Sequence, residues 1–193
     1  MKIMKKAIIF ILDGAGDRSY KQLDWRTPLE FANTPNLDKI AKNGISALLY
    51  TVEPGLIPGS DTSHMALFGY EPKKCYPGRG PLEAMGENIE LKPGDVAFRV
   101  NFATVDDSWN VIDRRAGRIK TGTEELASLI NGLEIDGVKI IFKPSVEHRA
   151  VLVLRGEGLS DKVSDSDPHK VGVPVNIVKP LENTPEAKKT SEI

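Results

Sequence analysis

The sequence holds a single cysteine, Cys75, in 193 residues. That excludes an intramolecular disulfide and any cysteine-based zinc-finger spacing, and it suits a reducing, cytoplasmic setting; Cys75 itself is read as inert. Net charge is nearly absent as well: 26 basic against 27 acidic residues leave a formal charge of −1. Overall charge therefore gives no footprint for a nucleic-acid partner. Long apolar runs are missing. The N-terminal stretch has lysines and then six apolar residues, Ala7 to Leu12, before Asp13 interrupts it. No small-residue cleavage site follows, so the stretch is not a signal peptide, and no run approaches the length that spans a bilayer. Internal repeats and low-complexity tracts are lacking too. What is present, 40% hydrophobic and 27% charged residues, suits a globular protein of one good-sized domain, or of one domain with an insertion.

The apolar run ends in Asp13-Gly14-Ala15-Gly16-Asp17. A Val/Ile-rich run bounded by turn residues predicts a buried strand. A carboxylate at the C-terminal end of such a strand sits where open α/β sheets place their ligands; Asp13 equally suits the start of a plain turn. Downstream, Thr27, Pro28 and Glu30 have the spacing of a capped helix start. Thr34 or Asn36 caps a second helix that ends at Gly44. Residues 45–52 read as a second strand. The order β-α-β predicts a parallel sheet, and the loop "EPGLIPGSDTSHMALFGYEP" should leave it on the same edge as Asp13.

From about residue 75 the texture changes. Val96, Phe98, Val100 and Phe102 alternate as in a hairpin strand before a turn at residues 106–108. "GTEELASLING" predicts a short helix capped by Thr121 or Thr123, and "GVKIIFKP" and "EHRAVLVLRG" predict two strands. The tail "PLENTPEAKKTSEI" begins another helix. This α+β pattern is expected to be an inserted domain.

The segment Gly59-Ser60-Asp61 opens a predicted helix from Ser60 to Phe68. A hydroxyl there is ordinarily a cap. The same place suits a nucleophile, because a helix N-terminus offers amide N–H groups to a phosphoryl group. A serine hydroxyl needs a base or metal to activate it, and Asp13 alone cannot hold a catalytic metal.

Taken in order, "ILDGAGDR", "TPLEFANTPNLDKIAKNG", "PGSDTSHMALFGYEP", "GRGPLEAMG", "DVAFRVNFATV", "DRRAGRI", "HRAVLVLRG" and "DSDPHKVG" resemble the archaeal type of cofactor-independent phosphoglycerate mutase, in the alkaline phosphatase superfamily. Members of that family are longer, and this sequence resembles their N-terminal portion. The resemblance implies an α/β fold: an alkaline-phosphatase-like parallel-sheet core, incomplete here, with an inserted α+β cap domain. Residues 1–74 would be part of the metal-binding catalytic domain, 75–182 the cap, and 183–193 the start of the return to the catalytic domain. It implies two divalent metal ions (manganese, magnesium, zinc or cobalt) and no need for 2,3-bisphosphoglycerate. Asp13 and Ser60 match metal-ligating positions. Ser60, with Thr62 as the alternative, matches the residue that forms a phosphoserine intermediate while 3-phosphoglycerate and 2-phosphoglycerate interconvert. His64 stands near the metal as a hydrogen-bonding group.

Substrate contacts are expected from Arg79, Arg99, Asn101, Asp113, Arg114, Arg115, Arg118, Asp167 and His169, since arginine grips phosphate and carboxylate in two-pronged fashion. His148 is read as structural. The partners implied are the two phosphoglycerates and the remaining half of the same protein, with no nucleic acid and no membrane, and a homo-oligomer is open. The 193 residues alone are expected to bind metal weakly and to lack mutase activity. Two readings stay beside this one: another metal-dependent phosphatase or phosphotransferase of the superfamily, and a non-catalytic fragment.

Overall fold

A computed structural model describes residues 6–55 and 58–193. The chain divides into two compact units, Met1–Tyr50 and Thr51–Ile193.

In the first unit two short helices form where the caps predict them. Helix α1, Pro28–Phe31, is held by a full capping box: the Thr27 side chain accepts from the Glu30 N–H, and the Glu30 carboxylate accepts from the Thr27 N–H. Helix α2, Pro35–Asn43, follows Thr34 and ends at Gly44, but neither residue expected to cap it does so: the Thr34 hydroxyl donates to the Asp38 side chain at 3.0 Å, and Asn36 lies inside the helix. The two predicted strands are not there. Residues 7–12 and 45–50 belong to no strand, and no parallel sheet exists among the described residues. The reason is physical: a two-stranded parallel sheet cannot cover both its faces, and these runs have no further strands beside them. Ile8, Phe10, Ile45 and Leu48 are accordingly exposed, and no described residue of this unit is buried. Asp13 and Gly14 form the expected turn, with Gly14 at φ 75°.

The second unit carries the core. Three helices come first: α3 (Ser60–Leu67), α4 (Pro72–Cys75) and α5 (Arg79–Gly86). An antiparallel sheet follows, built from β1 (Val96–Asn101), β4 (Glu134–Ile135), β5 (Val138–Pro144) and β6 (Arg149–Arg155) in the order β1-β6-β5-β4. β4 and β5 join through Asp136-Gly137, both at positive φ, the chemistry of a tight hairpin turn. The alternation predicted for Val96 to Phe102 is seen, but the long strand is not the arm of a local hairpin. β1 pairs with β6, Val96 opposite Leu154 and Asn101 opposite Arg149. Only the short β2 (Thr104–Val105) and β3 (Val111–Asp113) form the hairpin around the predicted turn. Burial decides this, because β6, with four of its seven residues buried, needs a neighbour on each edge.

One sheet face packs Ile140, Phe142, Ala150 and Leu154 with Phe98, Val100 and Phe102 against Ala127 of α6 (Thr123–Ser128). Gly122, in the left-handed region, occupies the cap position of α6, and neither Thr121 nor Thr123 bonds there. The other face packs Val151, Val153, Ala97 and Ile141 against Ala84 of α5. The final helix α7, Pro185–Glu192, starts at Thr184, whose hydroxyl accepts from the Ala187 N–H. No helix of the described residues is long and apolar enough to cross a membrane.

Candidate active site at the start of helix α3

Ser60 is the first residue of α3 and is exposed; its hydroxyl makes no hydrogen bond among the described residues. The capping work falls to Thr62, whose Oγ1 accepts from the Gly59 N–H at 3.2 Å and donates to the Gly59 carbonyl at 3.1 Å. So the two hydroxyls that the sequence leaves as alternatives differ sharply among the described residues: Thr62 is tied down and Ser60 makes no bond. His64 lies one turn on, its Nδ1 on the Ser60 carbonyl, and Ser63 is tied to Thr51 at 3.0 Å.

Around this helix start stands a charged cluster that sequence reasoning names only in part. Asp61 Oδ1 accepts from the Thr62 N–H at 3.0 Å, while Oδ2 accepts from the Tyr76 hydroxyl and from Arg79 Nε, the latter at 3.0 Å. Burial alone would raise the Asp61 carboxyl, but the hydrogen bonds from Tyr76, Thr62 and Arg79 outweigh it and hold the group down at about 2. Arg99, on the α5 face of β1, is pushed downward by burial and then by the positive charges of Arg149 and Arg79, with Glu83 and Asp61 as counter-charges. Glu83 lies 3.4 Å from Arg99 Nε, yet that buried nitrogen, like Asn101 Oδ1, has no hydrogen-bond partner among the described residues. The glycine spacing of "GRGPLEA" has a direct cause here. Gly78 sits at φ 87°, ψ 174°, a conformation open to glycine almost alone. At Gly80 a Cβ would stand 1.9 Å from the Ala97 carbonyl oxygen, so α5 lies backbone-to-backbone on β1 and fixes Arg79 at its head.

Of the remaining predicted residues, Arg114, Asp167 and His169 form a second cluster. Arg114 clasps Asp167 through Nε (2.9 Å) and a terminal nitrogen (2.6 Å) and touches His169 Nδ1 at 2.8 Å. The Arg114 hydrogen bond is the main cause that lowers the Asp167 carboxyl. His169 also faces Asp165 at 3.1 Å. Asp113 does not hold Arg114; its oxygens accept from the Arg115 and Gly117 N–H groups and so close the turn that contains Arg115 and Arg118. His148 is buried, its carbonyl accepting from the Phe102 N–H at 2.7 Å; burial and then the nearby Arg149 and Arg115 lower its ring. Cys75 is exposed. Asp13 lies in the first unit, also exposed. Among the described residues no three His, Cys, Asp or Glu side chains gather as a metal site.

Sequence reasoning missed Asp61, Tyr76, Glu83 and Arg149. Asp61 and Tyr76 lie inside motifs singled out above, but only the folded proximity of residues 61 and 76–79 shows their role.

Residues 41–193 match the family model of 2,3-bisphosphoglycerate-independent phosphoglycerate mutase. A protein of that name from Methanococcus aeolicus is 57% identical over 188 residues, which cover 97% of this chain and 46% of that protein. Its counterpart from Methanocaldococcus jannaschii is 57% identical over 189 residues, covering 97% of this chain and 46% of that protein. The solved structure of a cofactor-independent phosphoglycerate mutase from Thermoplasma acidophilum matches at a TM-score of 0.59 and 46% identity, covering 94% of this chain and 48% of that one. The chain spans about half the length of the curated relatives it matches. At these identities and coverages, the chain belongs to the 2,3-bisphosphoglycerate-independent phosphoglycerate mutase family.

Proposed function

We propose that this chain supplies the phosphoryl-accepting serine and part of the anion-binding surface of a phosphoglycerate mutase that interconverts 3-phosphoglycerate and 2-phosphoglycerate. One observation carries the assignment of the serine: the Ser60 residue is exposed at the first position of an eight-residue helix and its hydroxyl is unengaged among the described residues, while the Thr62 hydroxyl two residues on is consumed by Gly59. In the forward half, the bond between phosphorus and the 3-oxygen of the glycerate breaks and a bond to Ser60 Oγ forms, and the serine proton passes to the departing glycerate oxygen. In the return half, the 2-hydroxyl takes the phosphoryl group and gives its proton back to Ser60. Of the first amides of α3, the Thr62 N–H is taken by Asp61 and the Ser63 N–H by the Gly59 carbonyl, which leaves those of Ser60 and Asp61 for the phosphoryl oxygens, and Arg79 and Arg99 offset their charge.

The residues present do not by themselves fit a divalent metal. The resemblance names only two oxygen donors here, Asp13 and Ser60, fewer than such an ion requires, and no three acidic, histidine or cysteine groups gather among the described residues. The metal pair implied by the family resemblance therefore needs ligands from outside these residues, and the steps above are confined to this chain's own groups. In the same reading residues 1–74 belong to the catalytic domain and 75–182 to a cap that retains the glycerate between the two half-reactions.

The test compares Ser60→Ala with Thr62→Ala in the intact protein. Ser60→Ala should abolish turnover of 3-phosphoglycerate and all labelling by the phosphoryl group. Because Ser60 caps nothing here, its stability should stay within about 0.5 kcal/mol of the parent. Thr62→Ala should retain phosphoserine formation and lose about 1 kcal/mol of stability. Turnover by Ser60→Ala, or phosphate mapped to Thr62, would show that the nucleophile is assigned to the wrong residue. Faster turnover of an unrelated phosphate ester would point instead to a phosphatase.

A further inference from the structure

Arg79 is held on one side. Its Nε donates to Asp61 Oδ2 at 3.0 Å, the Tyr76 hydroxyl acts on the same guanidinium, and the two terminal nitrogens donate to no other side chain among the described residues. The arginine side chain is about half exposed (53%), whereas the carboxylate that anchors it is only 15% exposed. Asp61 in turn is fixed on both oxygens, Oδ1 by the Thr62 N–H and Oδ2 by the Tyr76 hydroxyl. Tyr76 ends α4, Arg79 begins α5, and Asp61 follows Ser60 in α3. A single carboxylate thus joins the end of one helix to the starts of two others.

We infer that Asp61 and Tyr76 are positioning residues: they hold Arg79 by its Nε beside the start of α3, so that its two terminal nitrogens remain to grip the oxygens of a phosphate monoester at Ser60. The inference rests on the reading of Ser60 as phosphoryl acceptor. A guanidinium is a rigid plane with five N–H donors. Anchoring the Nε–H fixes that plane and leaves the other four N–H groups for a two-pronged grip on an oxyanion. Lysine has one nitrogen and cannot be anchored and grip in two prongs at once. Charge agrees with an anionic ligand. The groups that act on Arg99 include Arg79 and Arg149 against Glu83 and Asp61, so three guanidinium groups face two carboxylates. Asp61 also screens Arg79 from Arg99, which lets two cations share one surface before substrate arrives. Tyr76 keeps Asp61 Oδ2 from swinging away with the arginine.

A positioning role differs from a merely structural one in its coupling. If Asp61 acts through Arg79, removing it should matter only while Arg79 is present. We would measure kcat and KM for 3-phosphoglycerate in the intact protein for Asp61→Asn, Tyr76→Phe and Arg79→Ala, and for Asp61→Asn and Tyr76→Phe each combined with Arg79→Ala. Asp61→Asn should lower kcat/KM about tenfold to a hundredfold, as misplaced contacts do, and Tyr76→Phe should lower it less. On the Arg79→Ala background both should change it by less than about twofold. The Nε–H signal of Arg79 in a 15N spectrum should be protected from exchange in the parent and lose that protection in Asp61→Asn. Turnover of Asp61→Asn within about twofold of the parent, or a loss equally large without Arg79, would overturn the inference. If Asp61→Asn does not fold, the Tyr76→Phe cycle decides on the same terms. Ser60→Ala keeps the two readings apart: its failure to abolish turnover removes the nucleophile assignment, whereas a dead Ser60→Ala beside a fully active Asp61→Asn removes this inference alone.

Discussion

Asp95 carries a carboxylate into a place where only 3% of its side chain meets solvent. It survives there because Arg155 clasps it through Nε at 3.0 Å and a terminal nitrogen at 2.7 Å, and the Lys92 N–H adds a third bond at 2.8 Å. Burial pushes the Asp95 carboxyl up, but the Arg155 and Lys92 hydrogen bonds outweigh it, so the group ionises below its ordinary range. The sign follows directly. A carboxyl held below its unfolded value near 3.8 stabilises the fold above that value, and its contribution disappears as pH falls through the lower folded value. Asp95→Asn should therefore cost about 2 kcal/mol at neutral pH, and the gap to the parent should close as the solution is taken below about pH 4. Urea unfolding midpoints of both proteins at several pH values between 2 and 7 measure this. Asp167, lowered by Arg114, is present in both proteins and drops out of the difference. A gap that stays constant down to pH 2 would mean that the lost stability comes from packing rather than charge.

At the scale of elements, the approach of α5 to β1 does the most to shape the site. Gly80 lets the helix backbone lie against the Ala97 carbonyl, where a methyl group would meet backbone atoms at 1.9 to 2.7 Å. Neither partner is the tip of a flexible side chain, so the clash can be relieved only by moving the helix. Gly80→Ala should destabilise the second unit by about 1–3 kcal/mol. It should also weaken substrate binding, because Arg79 heads the helix that moves. A thermal melt and a KM measurement on one variant check both, and a melt unchanged within a degree would show that α5 is not so closely seated.

The elements also show how far the sequence could be read. Local signals were legible: the capping box at Thr27 and Glu30, the helix start at Ser60, the apolar strands 138–144 and 149–155, and the helix in the tail. Each depends on residues within a few positions of one another. The pairing of β1 with β6 joins residues 48 to 58 positions apart, and no local pattern distinguishes it from a hairpin with its neighbour. The anchoring of Arg79 by Asp61 and Tyr76 was hidden for the same reason. Arginine was legible as a gripping residue, but the carboxylate that aims it declares itself only in space.

At the scale of the whole chain, burial is distributed unequally, and this leads to a prediction that separates the two units. Every buried residue among the described ones lies beyond residue 79, in or around the sheet and its helices. Residues 6–50 bury none, although the run Ile8-Ile9-Phe10-Ile11-Leu12 has the composition of a core strand. Ile8 is 90% exposed and Leu48 95%. Backbone amides that lack both a ladder partner and a covering layer exchange their hydrogens at rates close to those of an unfolded chain, whereas amides in a covered sheet exchange only when that sheet opens. Hydrogen exchange of the 193-residue chain followed by mass spectrometry should therefore show residues 6–12 and 45–50 fully exchanged at the earliest times. Peptides covering β5 and β6 should stay protected for longer by orders of magnitude. A hydrophobic dye should bind this same chain, reporting the uncovered Ile, Leu and Phe side chains. Protection of residues 6–12 equal to that of β6 would mean that the first unit has a sheet and a core of its own. Fast exchange there beside a protected β6 would mean that these strand-forming residues still await the neighbours that a parallel sheet needs, which is the condition the composition of the run implies and the exposure of its side chains records.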